Sequence, residues 1–421
     1  MKVVIINRSD DTGGAAVVSR RLMDALRDCG IDAAMIVCEK RTSSPHIHLA
    51  ASSWRIRQAF LSERLKIFMA NGFDRSTLFR IDTASDGLPL HRHPLVRQAD
   101  VICLGWINQG MLSIKGIRKI VELGKPVVWT MHDMWCMTGI CHHAFACNRY
   151  SRSCGDCPLM GVKAAPDDLS CKIHTSKSNL YALRGIHFVS VSNWLASCSR
   201  RSSLLGNQPL SVIHNPFPLP ETPVRHGKAP SADTEISLLF GAARLDDPIK
   251  GLDILHRSLE ILTQRRPELK DRLSLTLFGT VKNPSALVGF PVRIQNLGRL
   301  AGADELAEAY SRSDILLAPS RFENLPGTLV EAQAYGAVPV AFLRGGQADI
   351  ITDGETGVLA EFVENDMEAT AGNFADAISR AIALLSDAGI KNRMRKSVEQ
   401  KFAASVIAGK YIDLFNSLLR I

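Results

Sequence analysis

Ser320-Arg321-Phe322-Glu323-Asn324-Leu325-Pro326-Gly327-Thr328-Leu329-Val330-Glu331-Ala332-Gln333-Ala334-Tyr335-Gly336-Ala337-Val338-Pro339-Val340-Ala341 follows directly on a short apolar run, Asp314-Ile315-Leu316-Leu317-Ala318-Pro319. That run is β-prone and bounded by Pro and Ser, so it predicts a buried parallel strand. Pro326 and Gly327 stand where a helix can begin, Gly336 where it ends, and Pro339-Val340-Ala341-Phe342 starts the next strand. One βαβ unit results, with Glu323 in its loop and Glu331 in the first turns of its helix.

An ionised carboxylate only accepts hydrogen bonds, and sugar hydroxyls supply donors. Free N–H groups at the start of the same helix, near Gly327 and Thr328, suit phosphate oxygens. Hydroxyls beside phosphate point to a nucleotide sugar. The helix dipole alone also favours a glutamate near a helix N-terminus, so the pair by itself carries both meanings.

Other strand-like runs alternate with helical ones along the chain. The first half reads Val3–Ile6, a helix from Ala15 to Cys29 stopped by Gly30, then strand 33–38, strand 100–105, helix 111–123, strand 126–131, strand 187–192 and strand 211–218. Pro, Thr and Gly from Pro216 to Pro230 read as a linker. A second series starts at Ile236 and continues through strands 275–279 and 292–299, a helix at 304–311, the βαβ unit, and a helical tail from about Ala369 to Ile421. Such alternation predicts doubly wound sheets, whose ligands bind beyond the C-terminal strand ends. No G-x-G-x-x-G is present, and Gly13-Gly14 alone is no more than a tight turn.

The string Ser-x-x-Glu, seven residues, then Glu-Ala-x-Ala-x-Gly-x-x-Pro-Val resembles the donor-site signature of retaining glycosyltransferase family 4. Arg244-x5-Lys250-Gly251 is similar to the diphosphate-binding pair of the same family. The resemblance implies the α/β GT-B fold: two Rossmann-like domains facing each other across a cleft, with a C-terminal helix crossing back to the N-terminal domain. It implies an N-terminal acceptor domain over 1–220, a nucleotide-sugar domain over 233–400 and a returning helix over 401–421. The implied reaction moves a sugar from a nucleoside diphosphate sugar, UDP or GDP, to an acceptor hydroxyl of a sugar or lipid-linked saccharide. Polysaccharide or exopolysaccharide assembly is the setting expected. Glu323 would hold donor hydroxyls with Asn324 and Leu325 beside it, and Glu331 the ribose. Leu297, Gly298 and Arg299 would border the base, Gly13 and Gly14 would lie against the donor, and His132 would orient a hydroxyl near the reacting centre. Arg244 and Lys250 would neutralise the diphosphate, one by a forked contact and one as a point charge, in place of a catalytic divalent metal. Asp246-Asp247 is accordingly not read as a metal motif. A nucleotide-sugar epimerase and a non-catalytic nucleotide-sugar binder are the alternatives.

Two stretches stand outside that pattern. Cys136 to Pro158 holds thiols at C-x5-C-x6-C-x2-C; Cys141, Cys147, Cys154 and Cys157 are expected to close a structural zinc site, with His142 or His143 as substitutes and free thiols or an oxidised pair as alternatives. A similar Cys-rich insert occurs in a branch of family 4 associated with exopolysaccharide assembly. Residues 54–80 interleave six cations with bulky apolar groups against Glu63 and Asp74, a net of +4. They read either as the solvated face of a packed helix or as a dock for an anionic membrane.

Composition bounds the rest. A chain of 421 residues, 46% hydrophobic, can bury two or three cores, and its net charge of +8 suits an anionic partner. With 6% aromatics and no nucleic-acid motif, nucleic acid is not expected. The apolar run after Met1 is too short for a signal peptide, and ten Cys in such a chain imply a reducing compartment. The cytoplasm is the location expected, with the inner face of the plasma membrane as a site of peripheral attachment.

Overall fold

Strands buried on both faces need near-continuous apolar sequence, and the apolar runs of this chain become parallel strands throughout. A computed structural model describes residues 1–220, 234–300 and 302–420. The linker expected up to Pro230 lies outside the described residues from 221 onward. Two units are present: 1–216 with 404–421, and 217–403.

The first unit holds β1 (Lys2–Ile6), β2 (Asp32–Val37), β3 (Ile47–Leu49), β4 (Val101–Leu104), β5 (Val127–Met131), β6 (Ile186–Ser190) and β7 (Leu210–Val212). Their order is β3-β2-β1-β4-β5-β6-β7, and every pair is parallel. The second unit holds β8 (Ile236–Arg244), β9 (Leu273–Thr280), β10 (Arg293–Asn296), β11 (Ile315–Ala318), β12 (Val338–Phe342) and β13 (Val358–Ala360). Its order, β10-β9-β8-β11-β12-β13, is again all parallel. Each sheet reverses its winding once, between β1 and β4 and between β8 and β11. A crevice opens outside the carboxyl ends of the strands at such a reversal. These are two parallel-sheet α/β domains, the class that the resemblance implies.

Several boundaries move for local reasons. The helix expected over 111–123 spans only Ile114–Val121, because the Ser113 hydroxyl accepts the Gly116 N–H at 3.0 Å and caps it there. Strand 292–299 shortens to Arg293–Asn296, since Gly298 turns the chain at φ 68°. Strand 211–218 shrinks to Leu210–Val212. The tail forms three helices, Met367–Leu384, Ile390–Phe402 and Ala404–Leu419. Among the described residues, no helix is long and apolar enough to cross a membrane.

The last helix belongs to the first unit. Ile407, Ala408, Tyr411 and Phe415 are buried with Leu22, Met23 and Leu26 of helix Gly14–Asp28 and with Val3, Ile5 and Cys103 of the sheet. Tyr411 Oη also pairs with Thr130 Oγ1 on β5 at 2.8 Å. Each large apolar side chain so buried contributes about 1.5–3 kcal/mol. Phe415→Ala is therefore expected to destabilise this unit by about 3–5 kcal/mol, and Tyr411→Phe by about 1 kcal/mol, in chemical denaturation of the full chain. An unchanged midpoint for Phe415→Ala would mean that the terminal helix is not part of this core.

Candidate functional site

The loops that leave β8 and β11 emerge side by side at the reversal of the second sheet. The β8 loop is held by its own carboxylates. Asp247 accepts the Ile249 N–H at 3.1 Å, and Asp246 accepts the N–H groups of Lys282 and Asn283 at 3.0 and 2.9 Å. Arg244 reaches back to both, 3.5 Å from Asp246 and 3.1 Å from Asp247. Asp246 and Asp247 thus serve the turn and the arginine.

Gly251 follows with φ 74°, and a Cβ there would lie 2.1 Å from the Pro319 carbonyl oxygen. Only glycine lets the two loops approach so closely. Arg321 then joins them, its N–H donating to the Ile249 carbonyl at 2.8 Å and its guanidinium to Asp253 at 2.6 and 2.8 Å. Lys250 Nζ consequently meets Glu323 Oε1 at 2.6 Å. Burial alone would lower the ammonium's pKa, but the Glu323 carboxylate overrides it and holds the pKa above its usual value. Lys250 is thus a fixed cation. Gly345 fixes the other side of the loop at φ 66°, since a Cβ would stand 2.1 Å from the Glu323 carbonyl oxygen.

Helix Gly327–Tyr335 starts directly after this loop, so its first N–H groups point out of the same strand end. Gly336 closes it at φ 87°. Glu331 accepts from the Tyr310 hydroxyl at 3.1 Å, and Tyr310 is buried and stacked on Tyr335 at 5.9 Å. Asn324, Gly327 and Thr328 are half-buried and Leu325 is buried. Leu297 and Arg299 are exposed at the end of β10, and the Gly298 carbonyl accepts the Gly279 N–H at 2.7 Å.

In the first unit, Gly13 caps helix Gly14–Asp28 with φ 89°. His132 follows β5, half-buried, and lines a small cavity with Ser19, Gly105, Asn215 and Tyr411. Burial lowers its pKa to about 4, with Asp133 opposing, so the ring is neutral at neutral pH.

Next to it lies a network that sequence reasoning missed. His142 Nδ1 is 2.7 Å from Asp133 Oδ2 and Nε2 is 3.2 Å from Asp82 Oδ2. Trp106 Nε1 donates to Asp133 at 2.9 Å. Beneath, Arg64 is bonded to Asp82, and Glu63 accepts from the Gly110 and Thr83 N–H groups at 2.5 and 3.3 Å. Burial, then Asp82, lifts the Glu63 carboxyl above the usual carboxylate range. Burial would lower His142, but Asp133 and Asp82 raise it to about 10.

The Cys-rich insert departs from expectation. Cys141, Cys147, Cys154 and Cys157 do line one cavity, over a small cluster of Ile67, Ile81, Ile140 and Met160. Among the described residues, however, no three His, Cys, Asp or Glu side chains are arranged to hold a metal. Cys154 Sγ accepts the Gly139 N–H at 3.1 Å. His142, one of the two histidines offered as substitute ligands, pairs with the two carboxylates. Lys177 Nζ braces the segment, donating to the carbonyls of Trp135, Thr138 and Gly139 at 2.5, 3.1 and 3.0 Å.

A group whose folded pKa is raised contributes stability that is full below its unfolded value and lost as pH rises through the folded one. For His142 that window runs from 6.5 to about 10. The stability lead of the wild type over His142→Asn should therefore shrink as pH rises across it, in urea unfolding of the two chains. A lead that grows would show that His142 is buried neutral.

Residues 237–383 match the model of the family described as glycosyl transferases group 1. A glycogen synthase of Pseudomonas aeruginosa is 37% identical over 117 residues, 28% of this chain and 22% of the relative. The D-inositol 3-phosphate glycosyltransferase of Kribbella flavida is 31% identical over 163 residues, 36% of each chain. WcaC of Escherichia coli K12, named as a colanic acid biosynthesis glycosyl transferase, is 25% identical over 254 residues, 59% of each. All three matches span less than two thirds of the relative's own length. Among solved structures, Anabaena HepE in complex with UDP superposes with a TM-score of 0.60 at 16% identity, over 99% of this chain and 100% of that one. Sucrose-phosphate synthase of Thermosynechococcus elongatus does so with 0.60 at 16%, over 100% and 99%. The likeness to these structures is one of fold, and residues 237–383 match the domain described as glycosyl transferases group 1.

Proposed function

We propose that this chain is a retaining glycosyltransferase of family 4 that moves a sugar from a nucleoside diphosphate sugar to an acceptor hydroxyl in polysaccharide assembly. One observation carries it: a half-buried cation, a carboxylate and a helix N-terminus converge on the strand ends at the reversal of the second sheet. Lys250, Arg244 and the N–H groups near Gly327 and Thr328 take the diphosphate. Glu323 takes the donor sugar hydroxyls and Glu331 the ribose, held by Tyr310. Neutral His132 accepts or donates a hydrogen bond to a hydroxyl without adding charge. UDP is the nucleotide to test first, because HepE was solved with UDP.

Catalysis in this proposal is electrostatic. As the bond from the anomeric carbon to the diphosphate oxygen breaks, charge grows on the phosphate, and fixed cations stabilise it most in the transition state. The acceptor oxygen bonds to the anomeric carbon on the face the phosphate leaves, and the phosphate oxygen takes the acceptor's proton. Glu323, already bonded to Lys250, is a hydrogen-bond acceptor in this scheme rather than a nucleophile. The matched domain, the relatives' names and the strand-end geometry support the assignment.

Titration calorimetry with UDP, GDP and ADP is the test. One nucleotide should bind, and Glu331→Ala should weaken it about tenfold to a hundredfold, with Tyr310→Phe weakening it less. Folded protein that binds none of the three would remove the donor-site assignment. Lys250→Ala should lower kcat by roughly a hundredfold to a thousandfold once an acceptor is found. A product of inverted anomeric configuration would contradict retention.

A further inference from the structure

Helix Ser53–Ala70 has apolar residues on two opposite faces. At about 100° per residue, Ile56, Phe60, Glu63 and Ile67 point one way and Trp54, Leu61, Leu65 and Met69 the other, the latter within an arc of about 80°. The first set is buried or half-buried against the unit, with Ile67 in the cluster under the Cys-rich insert. The second set is out in solvent, Trp54 by 63% and Leu65 by 56%. The segment after the helix adds Phe73 and Phe79, exposed by 66% and 61%. Scattered exposed apolar residues are ordinary, but a continuous row of this kind on one helix face needs an occupant.

The charges around the row say which one. Exposed Arg55 and Lys66, the latter paired with Asp86 at 2.6 Å, flank it on one side and Arg57 on the other, with exposed Arg75 and Arg80 beyond. Glu63 is turned inward, so Asp74 is the one exposed carboxylate between 53 and 80, and it is occupied by the Ser76 N–H and hydroxyl at 2.7 and 2.8 Å. Beside Trp54 opens a groove of about 500 Å³ lined by Arg55, Arg92 and His93. Apolar side chains fringed by arginines, with a cationic groove at their end, match the acyl boundary and the phosphate layer of a bilayer.

We propose that helix Ser53–Ala70 and residues 71–80 dock this chain on an anionic lipid bilayer. Trp54, Leu61, Leu65, Met69, Phe73 and Phe79 enter the interface, the arginines pair with headgroup phosphates, and the groove beside Trp54 seats one headgroup. This does not rest on the nucleotide-sugar assignment, whose residues all lie elsewhere. A second copy of the chain is the rival occupant, but Arg55, Arg57, Arg75 and Arg80 would repel their own images in a dimer.

Flotation of the full chain with vesicles decides it, using phosphatidylcholine alone and phosphatidylcholine mixed with phosphatidylglycerol. Binding is expected to the mixed vesicles and not to the neutral ones, and should fall as salt rises. Arg55→Ala with Arg57→Ala should weaken it roughly twenty-five-fold, about fivefold per arginine. Leu65→Asp with Met69→Asp should abolish it while leaving circular dichroism and nucleotide affinity unchanged, since both side chains stand in solvent. No vesicle binding by the wild type would overturn the proposal, as would equal binding to neutral vesicles. A concentration-dependent dimer lost in the Asp variant, without vesicle binding, would assign the patch to self-association instead.

Discussion

Everything proposed for the donor half depends on β8 and β11 lying next to each other, Leu238 against Ile315 and Leu239 against Leu316. Two strands 77 residues apart become neighbours, and the loops beyond them are forced into contact. That contact has almost no room. The φ of Gly251 and its approach to Pro319, matched by Gly345 against Glu323, mean that a side chain at either position would push the loops apart. Lys250 and Glu323 meet because backbone geometry brings them together, and the carboxylate then keeps the Lys250 ammonium charged in a partly dehydrated place.

Charge is managed differently in the two units. In the second, cations stand at the mouth of the sheet paired with carboxylates, Arg244 with Asp247 and Lys250 with Glu323. In the first, Glu63, Arg64, Asp82, His142 and Asp133 are sealed beneath the β5 end and hold one another. The Lys177 amine is buried there too, over the Trp135 ring at 3.2 Å, and burial lowers its pKa to about 7. Such a network gains little net stability, because dehydrating its members offsets their attraction. What it does is fix the segment that carries His132, leaving that ring neutral while His142 ten residues on is charged.

Local signals carried the legible part of the site. The βαβ unit from Ile315 to Phe342 could be read because its strand, loop glycines and helix ends are contiguous, and Arg244 and Lys250 because they flank one loop. Tyr310, the partner of Glu331, is 21 residues away, and Asp82 is 60 from His142. Neither residue type announces such a partner, so only packing discloses it. The Cys spacing brings four thiols close in sequence to one cavity, where no three His, Cys, Asp or Glu side chains among the described residues are arranged to hold a metal. Residues 54–80 had two readings because periodicity cannot say which of two apolar faces the core will take. Burial settles that, since Ile67 is covered and Leu65 is not.

The most direct measurement is a crystal structure of the chain with UDP. The diphosphate should lie between Lys250, Arg244 and the N-terminus of helix Gly327–Tyr335, with the ribose hydroxyls on Glu331. A nucleotide bound away from these residues, with Lys250 still paired to Glu323 and Glu331 untouched, would contradict the account at its centre.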